Sequence, residues 1–405
     1  MKPGAAVANT ERWLCCQLRA REHFMVPVGL ARRHALSHLV TDLWVPPGSA
    51  TGRLVPRLRA VYHPDLDGRV SAFNAEALLF EAGQMLARAR GWPRIVKRNE
   101  WFQSRVVALL KKRSPDATVL FSYSYAARRP FEFAKAAGWK TVMVQIDAGP
   151  GEERLVASWQ SRHPGLEAHW RPAPAEYWTR WRAEIDLADR VIVHSRWSRD
   201  ALIAEGVNGG KLVVVPLAYE PPAEAAAFER TYPDRFSSDR PLRVLFLGQV
   251  TLRKGALAML DAARELRDEP IEFIVAGPNA LDLSRRPAGD GRIQWLGPVP
   301  RGRTAAVYQG ADVFLLPTLS DGFGLAQLEA QAWRLPLVTT ANCGDVVRDG
   351  INGVLLREGS GAEVAAVLRR LIAEPAIIRR MSRAARIDEQ HHPDRFSAAL
   401  QACLQ

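Results

Sequence analysis

The sequence predicts an α/β fold of two Rossmann-like domains facing each other across a cleft. Short apolar runs alternate with helix-periodic stretches along the chain, the pattern of parallel strands packed between helices. The runs fall into two sets of about six, as two doubly wound sheets require. A length of 405 residues is enough for two separate cores.

In the first half, strands are expected near Trp13–Leu18, His38–Val45, Val119–Tyr123, Val142–Ile146, Val191–Val193 and Leu212–Val215. Helical spacing follows the first of these at Val26–Leu36. The long connection 46–93 carries another helical stretch at Ala75–Arg90, and a connection of that length beside a cleft is a candidate acceptor-recognition element. In the second half, strands are expected near Leu242–Leu247, Ile271–Ala276, Ile293–Leu296, Val313–Leu316, Leu337–Thr339 and Val354–Leu356. The proline- and charge-rich segment Pro221–Pro241 separates the sets. The expected division is therefore a first domain 1–220, a linker 221–241, a second domain 242–390 and a C-terminal stretch 391–405. A helix Pro393–Leu404 follows the break at His391-His392-Pro393.

Composition is that of a globular protein, with a formal net charge of +12. Such a balance suits either a basic face meeting anionic lipid or polyanionic substrate, or arginine spread over the whole surface. No nucleic-acid reader motif is present. The four cysteines, Cys15, Cys16, Cys343 and Cys403, show no metal spacing and read as buried reduced thiols, which points to the cytoplasm. Residues 1–11 lack the apolar core of a signal peptide, and no apolar run is long enough to span a bilayer, so any membrane contact is expected to be peripheral.

Two loops carry chemistry. The apolar run Val313–Leu316 ends at Pro317 and leads through Asp321-Gly322-Phe323-Gly324 into Leu325, Leu328, Ala332 and Leu335 at helical spacing. A strand, a glycine corner and a helix start present free N–H groups to an anion, here at Gly324 and Leu325. Glu329 lies one turn in and leans back toward that start, and Asp321 faces the same place. Phe323 reads as a packing residue. The second loop runs from Leu247 through Gly248, Gln249 and Thr251 to Arg253-Lys254-Gly255 before a helix through Leu257, Leu260 and Ala263. Cations at a strand's C-terminal end suit a diphosphate. Lys254 at a helix start is electrostatically awkward unless an anion binds there, whereas Arg253 reads equally well as a solvated side chain.

This pair of motifs resembles the donor site of retaining glycosyltransferases of the GT-B fold, glycosyltransferase family 4. Those proteins carry Glu-x7-Glu with a Gly-Phe-Gly corner, and a Gly-Arg loop ending in Lys-Gly. This chain has Asp321 in place of the first Glu and Gln249 in place of the Arg, while Lys254 and Glu329 match. The likeness covers roughly residues 180–385. It implies a nucleotide-diphosphate-sugar donor, with Glu329 on the ribose, Asp321 on the donor sugar, Lys254 and Arg253 on the diphosphate, and Leu296, before Gly297-Pro298-Val299, beside the nucleobase. It also implies a final helix packing back on the first domain and a carbohydrate or lipid-linked acceptor. No Asp-x-Asp metal motif stands in a fitting context, so no divalent ion and no cofactor are expected.

The first domain departs further from the pattern. The usual His near a middle strand is absent, and Asp147 stands there, either a sugar or acceptor ligand or a turn residue. The usual glycine-rich first loop is replaced by Arg19-Ala20-Arg21-Glu22-His23, and His23 is either an acceptor-side group or structural. Ser195 reads as a helix cap. Two other readings stay open: a non-catalytic nucleotide-sugar-binding scaffold, and a GT-B epimerase.

Overall fold

The computed structural model describes residues 11–49, 52–53, 61–112, 116–285 and 292–404. The first ten residues, where the sequence argues against a leader, lie outside them. Among the described residues no helix is long and apolar enough to cross a membrane.

The first sheet contains β1 (Trp13–Gln17), β2 (Leu36–Thr41), β3 (Val70–Ala72), β4 (Val119–Tyr123), β5 (Lys140–Val144), β6 (Arg190–Val193) and β7 (Leu212–Val214). Its order is β3-β2-β1-β4-β5-β6-β7, with every pairing parallel. The second contains β8 (Leu242–Leu247), β9 (Ile271–Ala276), β10 (Ile293–Gly297), β11 (Val313–Leu316), β12 (Leu337–Thr340) and β13 (Gly353–Leu356), ordered β10-β9-β8-β11-β12-β13 and also parallel throughout. β3 is the strand that the sequence reading misses. It is three residues long, half-buried and at a sheet edge, too short to show a period.

Both sheets reverse strand order once, at β1/β4 and at β8/β11. Crossovers leave in opposite directions from such a point, so a crevice opens beyond the strands' C-terminal ends. That geometry decides where the functional loops meet.

Packing follows the sequence pattern. Successive residues of β1 enter different cores: Trp13 and Cys15 pack with Phe24 and Leu30, whereas Leu14 and Cys16 pack with Phe102 and Phe131. All four cysteines are buried and free, as expected. In the second domain, the helix Ala256–Glu265 buries Leu257, Met259 and Leu260 in one cluster with Phe246, Phe273 and Leu368.

The segment 221–241 is strapped to the second domain. Arg230 donates to the carbonyls of Tyr308 at 2.9 Å and Trp333 at 2.9 Å, and also to that of Ala311. Arg240 forks onto Asp312 with two bonds of 2.7 Å, and Asp312, 2% exposed, also accepts from the Arg243 N–H. A bidentate arginine clamp on a buried carboxylate is a strong, directional tie.

The terminal helix Pro393–Ala402 packs on the helix Met25–Arg32. Phe396 and Leu400 share a cluster with Val28 and Leu30. A Cβ on Gly29 would lie 2.3 Å from the Ser397 hydroxyl oxygen, so the absence of a side chain there lets the two helices approach.

Candidate functional site

β8 and β11 are hydrogen-bonded neighbours, so the loops that follow them lie side by side. They are stitched together: the Arg253 carbonyl accepts from the Leu319 N–H at 2.8 Å and the Thr318 hydroxyl at 3.0 Å. Gly255 makes this approach possible. Its φ is +76°, and a Cβ there would lie 1.9 Å from the Pro317 carbonyl oxygen. The helix Ala256–Glu265 starts immediately after it.

The Lys254 ammonium rests directly on Asp321 Oδ2. The adjacent loop thus supplies Lys254 with an anion of its own, because strand order places the two motifs together. Burial alone would raise the Asp321 carboxyl, but Lys254 and Arg253 outweigh it and hold it below the ordinary carboxylate range. Arg253 is half-buried and held by partners on both domains. It lies 3.5 Å from Glu152, 4.0 Å from Asp321, and donates to the Ser320 carbonyl at 3.1 Å.

Glu329 occupies the first turn of the helix Ala326–Ala332. The Tyr308 hydroxyl donates to its Oε2 at 2.6 Å. Burial raises its carboxyl, opposed by that bond and by Arg301. Gly324 has φ +79°, as a corner before a helix demands. Phe323 is 3% exposed and packs on His391. Leu296 is 38% exposed on the edge strand β10, and Gln249 and Gly248 stand at the open end of β8.

The first domain closes on these loops. A Cβ on Gly322 would meet the Ile146 carbonyl oxygen at 2.1 Å. The Ser195 hydroxyl donates to the Gly322 carbonyl at 2.8 Å while accepting from the Ser198 N–H, so the expected cap also bridges domains. The Trp197 indole donates to the Ser320 hydroxyl at 2.8 Å, and that hydroxyl donates to Glu152 at 2.7 Å.

Glu152 is the main residue that sequence reasoning missed. It sits in the first turn of the helix Pro150–Arg162, where a glutamate is already explained by the helix dipole, and nothing local signals a partner 168 positions away. Burial pushes its carboxyl up to about 7 against the pull of Arg253, with Asp147 and Asp321 adding to the rise. A carboxyl raised in the folded state keeps a proton that the unfolded chain has released. It therefore makes the fold lose stability as pH climbs from about 4.5 to about 7. Glu152→Gln is expected to flatten the decline in melting temperature over that interval, and thermal melts across pH read it directly.

Asp147 holds a hydrogen-bond network at its turn. Its Oδ1 accepts from the Tyr125 hydroxyl at 2.6 Å, Gln145 at 2.7 Å and the Gly149 N–H at 3.0 Å. His23 lies on the strained stretch Glu22–Phe24, where three non-glycine residues have φ between 49° and 63°. Burial and Arg301 push its imidazole down to about 4, so it is neutral at pH 7. With Arg19, Arg21, Arg98 and Arg301 it lines a basic cavity of about 500 Å³. Among the described residues no three His, Cys, Asp or Glu side chains are grouped to hold a metal ion.

The family model described as "Glycosyl transferases group 1" matches residues 241–374. A D-inositol 3-phosphate glycosyltransferase of Xylanimonas cellulosilytica is 29% identical over 335 residues, covering 80% of this chain and 73% of the relative. One from Nocardia farcinica is 27% identical over 340 residues, covering 78% and 66%. The chain spans only 52% of the relative from Kribbella flavida, with 28% identity. Among solved structures, Anabaena HepE in complex with UDP and glucose superposes with a TM-score of 0.60 at 15% identity, over 97% of this chain and 99% of that one. Sucrose-phosphate synthase from Thermosynechococcus elongatus gives 0.61 at 17% identity, over 96% and 97%. These structural likenesses speak to fold, and the sequence match to the second domain. The chain has the GT-B fold, and its residues 241–374 match the group 1 glycosyltransferase family.

Proposed function

We propose that this chain is a retaining, metal-independent glycosyltransferase of family 4, moving a sugar from a nucleotide-diphosphate-sugar to an acceptor held by the first domain. The observation that carries this reading is the meeting of Lys254, Arg253 and Asp321 at the β8/β11 crevice. Negative charge grows on the diphosphate as the glycosidic bond breaks. Fixed cations aimed at it lower the barrier more than they stabilise the ground state. Lys254 and Arg253 take that role, with the amides at Gly324 and Leu325 beside them. Asp321 orients the donor sugar and Glu329 accepts from the ribose hydroxyls. The departing phosphate takes the acceptor's proton. The residues that would surround a diphosphate supply cations of their own, so the reading needs neither a metal nor a cofactor.

The relatives' names point to an inositol-type acceptor, and HepE's ligands point to a uridine nucleotide. The helix Asn74–Leu86 leaves Leu79, Met85 and Leu86 at least 71% exposed, ahead of Arg88 and Arg90. An apolar, basic-flanked surface of that kind supports a peripheral contact with anionic lipid and a cytoplasmic location at the membrane face. The ready-made Lys254–Asp321 pair favours a second reading, a scaffold that binds donor without turnover.

Titration calorimetry with UDP tests the nucleotide assignment. Glu329→Ala is expected to weaken UDP and UDP-glucose alike, by about 1.5–3 kcal/mol for lost charge-assisted hydrogen bonds. Weakening of the intact donor alone would place Glu329 on the sugar instead. Donor hydrolysis or transfer by the wild-type protein separates enzyme from scaffold.

A further inference from the structure

A second cavity, of about 270 Å³, opens beside the proposed donor site and is walled by both domains. Gln249, Thr251 and Arg253 of the loop after β8 form one side, and Asp147 and Glu152 form part of the other. Arg253 is shared, since it also faces Asp321. A ligand in this cavity would therefore lie next to the position assigned to the donor sugar.

The chemistry of the walls is specific. Tyr125 and Tyr177 stack with centroids 4.7 Å apart and planes within 20°, Trp92 leans on Tyr177 at 4.8 Å, and Trp178 meets Tyr177 edge-on at 5.2 Å. The indole N–H groups are anchored, Trp178 to Glu153 at 3.0 Å and Trp92 to the Arg171 carbonyl at 2.9 Å, which fixes the rings in place. Rigid aromatic rings suit the C–H face of a pyranose or cyclitol, which costs little ordering entropy to bind against them.

The polar lining is acidic. Asp147, Glu152, Glu153 and Glu167 face the cavity, and Arg253, its one cation among the described lining residues, is already engaged by Glu152 and Asp321. Carboxylates accept hydrogen bonds from sugar hydroxyls or an ammonium. A phosphate would enter a field mostly of its own sign, whose one cation, Arg253, is already assigned to the donor diphosphate. The basic surface of the cleft lies in the other cavity, with Arg19, Arg21, Arg98 and Arg301.

We propose that this aromatic, acidic cavity is the acceptor subsite and that it takes a non-anionic sugar or cyclitol, neutral or amino-bearing, rather than a phosphorylated one. The inference rests on the donor-site reading above and departs from the anionic acceptor that the relatives' names specify.

The test uses the full chain saturated with UDP. Tryptophan fluorescence and calorimetry follow titrations with methyl glucoside, glucosamine, myo-inositol, glucose phosphate and inositol 3-phosphate. The expected result is saturable binding of one or more uncharged or amino compounds, with the phosphate esters at least about tenfold weaker. Tyr177→Ala should raise the sugar Kd by about tenfold or more, Tyr177→Phe should preserve it, and neither should move the UDP Kd. Preferential binding of the phosphate esters, no binding by any non-anionic compound, or an unchanged sugar Kd in a folded Tyr177→Ala protein would each overturn the acceptor assignment. Failure of UDP to bind the wild-type protein would instead remove the donor reading, so the two failures are distinct.

Discussion

Lys254→Ala is expected to lower turnover by about 10²–10³, the range measured when one fixed donor to a developing oxyanion is removed, about 2.7–4 kcal/mol. The structure adds a second consequence. The substitution leaves Asp321, half-buried with its side chain 14% exposed, with only the longer 4.0 Å ion pair to Arg253. Breaking a fully buried pair from one side costs on the order of 3–5 kcal/mol of stability, and the partial exposure of Asp321 and its remaining contact with Arg253 bring the expected loss below that range. The double variant Lys254→Met/Asp321→Asn removes both charges and is expected to recover much of that stability while leaving turnover low. Melting temperature and donor hydrolysis, measured on all three proteins, separate the two effects. Near-wild-type turnover in a folded Lys254→Ala protein would remove this lysine from the mechanism.

Gly322→Ala is expected to be nearly as damaging by a steric route. A methyl group would sit 2.1 Å from the Ile146 carbonyl oxygen, and that neighbour is backbone, which cannot rotate away. The loops must separate, weakening the bonds from Ser195 and Ser198 to the Gly322 carbonyl. A misplacement of about 1 Å at a reacting centre can cost about 100-fold in rate. The nucleotide groups on the second domain stay in place, so UDP affinity should change far less than kcat. Equal losses in both would mean that the second domain itself is disrupted.

How much of this was legible in the chain depends on how local each feature is. Val119–Tyr123, Leu242–Leu247, Ile271–Ala276 and Val313–Leu316 match their expected limits at both ends. Each is a mostly apolar, mostly buried run closed by polar or turn residues. The helix Ala326–Ala332 is shorter than its apolar spacing suggests. Arg334 turns left-handed at φ 60° and the Leu335 N–H folds back to Ala330, so Leu335 is buried without being helical. The two functional loops were visible because each has its own glycine and charge pattern. That they share one site was implied by the family resemblance alone, because the meeting follows from strand order, which joins β8 to β11 across the whole of β9 and β10. Glu152 and the interdomain bonds of Ser195 were hidden for the same reason: their partners lie on the other domain.

The central claim is that the β8/β11 crevice binds the diphosphate of a nucleotide-sugar. A crystal structure of the protein with UDP tests it most directly. The account predicts phosphate oxygens within about 3 Å of the Lys254 ammonium, the ribose hydroxyls on Glu329, and a Lys254–Asp321 contact loosened or shared with the phosphate. UDP bound elsewhere, or bound with Lys254 still held wholly by Asp321 and no cation on the diphosphate, would contradict it.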